Sequence, residues 1–178
     1  MNVNRPVEEA APLDRGISVT RAYYPYGEAC AHVEDCAAIS EATAGDLVKV
    51  RLVLTLKNPA YYLLVEDYLP SGTEILNTGL KTTQQALLPE DQPKPLYDAE
   101  HPYDQGWGWW LFSAPRIFDD HIAWAVDYLP AGTYELTYYL SVLQPGEYRV
   151  LPARAWQFYF PEVQGNSAGE LFAIKPSN

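Results

Sequence analysis

Long apolar runs are missing from this chain: no stretch could cross a bilayer as a helix, and the first residues contain no apolar segment of the kind that directs secretion. Met1 to Gly16, with Pro6, Pro12 and three acids, lacks apolar periodicity and reads as a linker or disordered tail. A single domain over 17–178 is expected to follow. Basic residues are also scarce. Twelve Lys and Arg, scattered along the chain, face 23 Asp and Glu for a net charge of −11. A phosphate backbone needs a basic surface, so a nucleic-acid partner is excluded.

Catalytic signatures are thin as well. The three histidines, His32, His101 and His121, fall in separate segments, and no Ser or Cys stands in a nucleophile context. Asp119-Asp120-His121 offers a carboxylate-imidazole pair but reads as a turn before a strand. Gly106-Trp107-Gly108 lacks the helix that a phosphate loop requires, and no ladder of acids around a glycine marks a calcium loop. The expectation is a protein that is not an enzyme and takes no cofactor or metal.

Cysteine occurs only twice. A bond between Cys30 and Cys36 would close a small loop worth roughly 2 kcal/mol in the chain-entropy model, and would place the protein in an oxidising compartment. A disulfide is the expectation. Two free thiols, or a metal set completed by His32 and Asp35, are the alternatives; the second lacks the separated ligand pair of a structural zinc site.

What the chain does have is aromatics: fourteen Tyr and five Trp, beside one Met, suit pleated and half-buried surfaces. Asp67-Tyr68-Leu69-Pro70-Ser71-Gly72-Thr73 returns sixty positions later as Asp127-Tyr128-Leu129-Pro130-Ala131-Gly132-Thr133. In each copy Pro-x-Gly ends an apolar run, with Pro presetting φ and Gly free to take a positive one. Each copy is therefore a strand entering a tight corner.

Between Asp46 and Lys57, residues Val48, Val50, Leu52, Leu54 and Leu56 share one face of a half-buried strand. Asn58-Pro59 then turns the chain into Ala60 to Tyr68, read as its hairpin partner. A second such pair places Ile122, Trp124, Val126 and Tyr128 on one face, then Tyr134, Leu136, Tyr138, Leu140 and Val142 on another. Further strands are expected at Ile17 to Tyr24, Tyr148 to Leu151, Ala153 to Phe160 and Leu171 to Ile174. Eight to ten strands with regular turn signals define an all-β, immunoglobulin-like antiparallel β-sandwich. At most one short helix, at Thr82 to Leu88, is expected.

Residues 89–106 carry four prolines and five acids and form a long loop, the first place to seek a partner site. Trp107, Trp109 and Trp110 follow, alternating across an expected strand. Exposed, they would suit a carbohydrate or adhesion surface; buried, they are core filling.

Three stretches together resemble the C-terminal macroglobulin-like domain, MG10, of bacterial α2-macroglobulins. Val65-Glu66-Asp67-Tyr68-Leu69-Pro70-Ser71-Gly72 is similar to the family's V-E-D-x-L-P-x-G. Asp119-Asp120-His121-Ile122, followed by a strand and Leu129-Pro130-Ala131-Gly132-Thr133-Tyr134, is similar to D-D-R-V and L-P-x-G-T-Y. Tyr159-Phe160-Pro161-Glu162-Val163-Gln164-Gly165-Asn166-Ser167-Ala168 is similar to the Y-N-P-E-V-x-G-x-S-A ending. His121 stands where the family has Arg, and Phe160 where it has Asn.

The resemblance implies a non-enzymatic structural and interaction domain of an exported, protease-trapping protein. Its partners would be other domains of the same polypeptide, including a thioester domain where one exists, and proteases only through the parent. The domain itself would be monomeric and extracytoplasmic, in the periplasm or at the cell surface. The chain has no C-x-E-Q-like thioester motif of its own. In the family an aromatic from this domain helps keep water off the thioester, and Tyr159, followed by Phe160 and Pro161, is the residue that role would fall to. Trp107 and Trp109 are the candidates of the rival surface, a cell-surface adhesion or carbohydrate-binding sandwich.

Overall fold

Five aliphatic residues at every second position of a strand need a second layer to cover them, because successive side chains point to opposite faces. In the computed structural model, which describes residues 6–27, 30, 36–76 and 107–177, Val48, Val50, Leu52, Leu54 and Leu56 are all buried. Their strand, β4 (Leu47–Leu56), lies between β2 (Ile17–Pro25) and β9 (Gly132–Val142), with β6 (Thr73–Ile75) beyond β9. The second layer is a six-stranded sheet. Its order is β1 (Leu13–Arg15), β12 (Gln164–Asn166), β11 (Arg154–Gln157), β5 (Ala60–Tyr68), β8 (His121–Leu129) and β7 (Arg116–Ile117).

A third sheet orders β10 (Gly146–Val150), β13 (Glu170–Lys175) and β3 (Glu41–Thr43), and the amide of Ile39 stitches it to the Tyr23 carbonyl on β2 at 2.8 Å. Every strand pair is antiparallel except β13 with β3. The immunoglobulin-like antiparallel sandwich read from the sequence is the observed fold. Five strands of two or three residues, β1, β3, β6, β7 and β12, raise the count to thirteen among the described residues. The helix expected at Thr82 to Leu88 and the loop 89–106 lie outside the described residues.

Both expected hairpins are corrected. β4 pairs with β2 and β9, while β5 pairs with β8 and β11 in the opposite sheet. The same holds for β8 and β9. Short turns can thus carry the chain between layers as well as between neighbours in one sheet. Both copies of the repeated heptapeptide are such crossings, β5 into β6 and β8 into β9, and because β5 and β8 run antiparallel the two corners lie at opposite ends of the sandwich.

Only the second corner uses its glycine as the sequence implied, Gly132 having a φ of 157°. Gly72 has no positive φ, and its role is close approach: a Cβ there would fall 2.5 Å from the Tyr148 ring and 2.8 Å from the Gln144 carbonyl oxygen. Tyr148 in turn donates its hydroxyl to that carbonyl at 3.0 Å. In the second copy Tyr134 donates to the Pro130 carbonyl at 2.8 Å, bracing the corner from the strand that follows it.

The segment expected as tail or linker joins the fold from Pro6 onward. β1 pairs with β12, Glu8 meets Arg149 Nε at 3.0 Å, and a Cβ on Gly169 would fall 1.8 Å from the Val7 carbonyl oxygen. Backbone pairing and close approach hold this stretch, which is why apolar periodicity did not mark it.

Across the middle of the sandwich runs a buried ionic cluster. Arg21 on β2 and Asp67 on β5 both have side chains with 0% exposure, and Arg21 Nη1 donates to Asp67 Oδ1 at 2.6 Å. The same nitrogen donates to the Leu151 carbonyl at 3.0 Å, and Nε donates to Glu170 Oε2 on β13 at 3.0 Å. Tyr138 on β9 donates its hydroxyl to the other Asp67 oxygen at 2.7 Å. Burial raises the pKa of Asp67 above the usual carboxylate range while Arg21 and Tyr138 pull it down, and burial raises Glu170 in the same sense. One cluster ties all three sheets together.

Removing one partner of such a pair strands the other charge in the interior, at a cost of about 3–5 kcal/mol. Asp67→Ala is therefore expected to lower the urea-denaturation stability by that amount. Asp127→Ala, at the same place in the second heptapeptide but exposed, should stay within about 0.5 kcal/mol of wild type. Equal effects at the two positions would contradict this account of the repeat.

Candidate functional site

β5 begins out of step with itself. Strict alternation would send Tyr61 and Tyr62 to opposite faces, yet Ala60 is buried, Tyr61 and Tyr62 are each 51% exposed, and Leu63 is buried again. The cause is Tyr62, whose φ of 50° makes it the one non-glycine residue with positive φ among the described residues. A left-handed residue rotates the strand by one side-chain phase and costs roughly 1–2 kcal/mol when it is not glycine. Its neighbour β8 shows the matching step: Val126 is buried, Asp127 and Tyr128 are exposed, and Leu129 is buried. Tyr128 thereby leaves the face that it was expected to share with Ile122, Trp124 and Val126.

On the other side of β5, β11 ends at Gln157 instead of running to Phe160, and a tight turn follows. Phe160 N donates to the Gln157 carbonyl at 3.2 Å, Val163 N to the Phe160 carbonyl at 2.9 Å, and Gln157 N to the Val163 carbonyl at 3.1 Å. The turn lifts Phe158, Tyr159 and Phe160 out of the sheet, where they are 59%, 63% and 54% exposed. Pro161, at its tip, is exposed too.

The turn and the phase step meet. Phe158 N donates to the Tyr62 carbonyl at 2.9 Å, and buried Gln157 accepts the Tyr61 amide on its side-chain oxygen at 3.3 Å. Tyr62 and Tyr159 stand edge to face with ring centroids 5.1 Å apart, Phe158 and Tyr159 likewise at 5.1 Å, and Tyr61 and Tyr128 are tilted at 5.2 Å. Six exposed aromatics thus share one end of the outer face of β11, β5 and β8. Contiguous apolar surface of this kind marks an interaction site in a folded protein.

Of the residues singled out from sequence, Tyr159, Phe160 and Pro161 lie on this edge. Tyr61, Tyr62 and Tyr128 were missed; the one available signal was the doublet Tyr61-Tyr62, which breaks the alternation of an otherwise regular strand.

Trp107 and Trp109 fall elsewhere, and not on a strand. Trp109–Leu111 is a single 3-10 turn entered through Gly108, whose φ of 83° is left-handed and whose missing side chain lets the Tyr134 ring approach within 2.5 Å of where a Cβ would be. The Trp107 carbonyl accepts from Glu135 N at 2.8 Å, and Ser113 N donates to the Ala125 carbonyl at 2.8 Å, so this segment closes the side of the sandwich between β9 and β8. Trp109 packs on the core, while Trp107 and Trp110 are exposed and stand perpendicular at an interplanar angle of 84°.

His121 stacks on Phe118 with centroids 4.2 Å apart and holds Asp120 through Nδ1 at 2.6 Å, which lowers the pKa of that exposed carboxylate. Cys30 and Cys36 are joined as a disulfide with Cα atoms 5.6 Å apart. His32, Asp35 and His101 lie outside the described residues. Among the described residues no three His, Cys, Asp or Glu side chains group as metal ligands, and no helix is long and apolar enough to cross a membrane.

The fold, with its sheet-switching corners, is a macroglobulin-like β-sandwich domain. The chain belongs to the bacterial α2-macroglobulin MG10 domain family, whose model matches residues 16–162. An α2-macroglobulin homolog from Nostoc sp. is 25% identical over 124 residues, covering 70% of this chain and 6% of that protein. Trypsin-activated α2-macroglobulin from Escherichia coli superposes with a TM-score of 0.71 at 21% identity, over 93% of this chain and 11% of the other. The native Escherichia coli protein, in a structure from domain MG7 to the C-terminus, gives a TM-score of 0.68 at 20% identity over 93% of this chain and 24% of the other. The chain spans only a small fraction of the length of these relatives. Strands β12 and β13 lie beyond the family match and still complete two of the sheets.

Exposed rings add little to folding, so Tyr159→Ala should change the stability of the chain by no more than about 0.5 kcal/mol in chemical denaturation. Leu63→Ala, one residue beyond the phase step and fully buried, should cost about 2–5 kcal/mol. A large loss at Tyr159 would mean that the turn 157–163 is part of the core.

Proposed function

We propose that this chain is a non-enzymatic structural and interaction domain, C-terminal in a bacterial α2-macroglobulin-like protease-trapping protein. Its aromatic edge docks on neighbouring domains of the same polypeptide, including a thioester domain where the parent has one. The observation that carries this reading is the position of Tyr159, the most exposed large apolar residue among the described residues, in a turn bonded to β5. Six aromatics on a water-facing surface are unfavourable for an isolated domain and natural for one covered within a larger chain. The relatives are many times longer than this chain, and those of Escherichia coli include a trypsin-activated form. The proteases would thus be partners of the parent, reached only indirectly by this domain.

The Cys30 to Cys36 disulfide fits an extracytoplasmic location, in the periplasm or at the cell surface. Isolated, the domain would be a monomer. Trp109 packs on the core and the exposed Trp107 and Trp110 meet at 84°, so they form no shared coplanar platform for a sugar, which counts against the rival carbohydrate surface.

Hydrogen exchange tests the docking. Peptides covering 157–163 should exchange at least about tenfold more slowly in the whole parent polypeptide than in this chain alone, because a docked surface opens only when the interface does. Equal rates in the two would remove the reading.

A further inference from the structure

Tyr62 occupies a backbone position at which glycine is the residue of least strain, and Asn the next. Half of its surface faces solvent, and it is not one of the residues of the buried core. A tyrosine held there keeps a strained conformation without a matching gain in burial. The phase step that frees Tyr61 and Tyr62 needs only the left-handed backbone, and glycine would supply that at lower cost. Within the folded domain the ring stands against another exposed ring, Tyr159, so its surface is available to something beyond the domain.

We propose that Tyr62 is itself a docking residue, forming with Tyr159 a single edge-to-face unit that enters a concavity on the neighbouring domain. This rests on the docking reading above. The two rings are 5.1 Å apart at an interplanar angle of 89°, and the Phe158 amide bonded to the Tyr62 carbonyl at 2.9 Å fixes the base of one to the base of the other. Without Tyr62, the Tyr159 ring would be held by Phe158 on one side alone. Braced by Tyr62, it presents a preorganised wedge, which lowers the entropy lost on association. The chemistry of the receiving surface follows from the wedge: aliphatic walls for two ring faces, with hydrogen-bond acceptors at the rim for the phenol hydroxyls. The acidic and exposed Asp127, next on β8 to the Tyr128 that pairs with Tyr61, calls for a basic or neutral group at that rim and excludes an acidic one.

The test compares three substitutions, Tyr62→Gly, Tyr62→Phe and Tyr159→Ala, in this chain and in the whole parent polypeptide. Tyr62→Gly keeps the left-handed backbone and deletes the ring. It should leave the melting temperature of the chain equal to or above that of wild type, and raise hydrogen exchange over 157–163 in the parent by about tenfold or more, the effect of a central aromatic anchor. Tyr62→Phe should keep most of the protection.

A melting temperature lowered by several degrees in Tyr62→Gly would make the ring a structural support and overturn the proposal. So would unchanged exchange in Tyr62→Gly where Tyr159→Ala does raise it, an outcome that leaves the docking reading standing. If the wild-type parent protects 157–163 no better than the chain alone, the docking reading fails and this inference fails with it.

Discussion

The Arg21 to Asp67 ion pair is the constraint around which the sandwich closes. Hydrophobic burial brings the layers together without direction, since leucine against leucine fits in many registers. A buried guanidinium does not tolerate such freedom, because a shift of the layers would take away the acceptors that Nη1 and Nε hold and leave a charge in a medium that solvates it poorly. Arg21 reaches Asp67, the carbonyls of Leu151 and Tyr68, and Glu170, drawing on all three sheets. The cluster thereby selects one alignment of the layers from those that the apolar residues would accept.

The aromatic edge depends on that alignment. Asp67 points inward in phase with Leu63 and Val65, so the ion pair fixes the inward face of β5 from one end. The strand can then change phase only at its other end, and it does so at Tyr62. β8 steps at the same level, and the turn after β11 brings Phe158, Tyr159 and Phe160 alongside. Core and surface are set by the same strand, one end anchored by charge and the other released by a single left-handed residue.

Much of the fold was legible because strand alternation is a local signal. β4 and β9 could be read residue by residue, and the limits of β5 were as observed. The sheet to which each strand belongs was not legible, since a short turn with proline looks the same whether it joins neighbours or crosses between layers. The ionic cluster left a trace that went unread: Arg21 interrupts the inward series Ile17, Val19, Tyr23, and Asp67 interrupts Leu63, Val65, Leu69. Opposite charges at inward positions of two strands are a long-range pairing signal written in local form. On the edge, Tyr159, Phe160 and Pro161 came from the resemblance of the Pro-Glu-Val ending to its family. Tyr61, Tyr62 and Tyr128 did not, because regular alternation was carried through a step that only the φ of Tyr62 reveals.

The strands that carry the aromatic edge and the turn beside it, β11, β5 and β8, are all interior to their sheet, with ladder partners on both sides. Its stickiness is therefore confined to side chains. A strand from another molecule meeting this surface finds no open row of amides and carbonyls to extend, so the usual route from exposed apolar residues to fibrous aggregation is closed here. A domain made this way can expose an adhesive face without offering a template for runaway assembly.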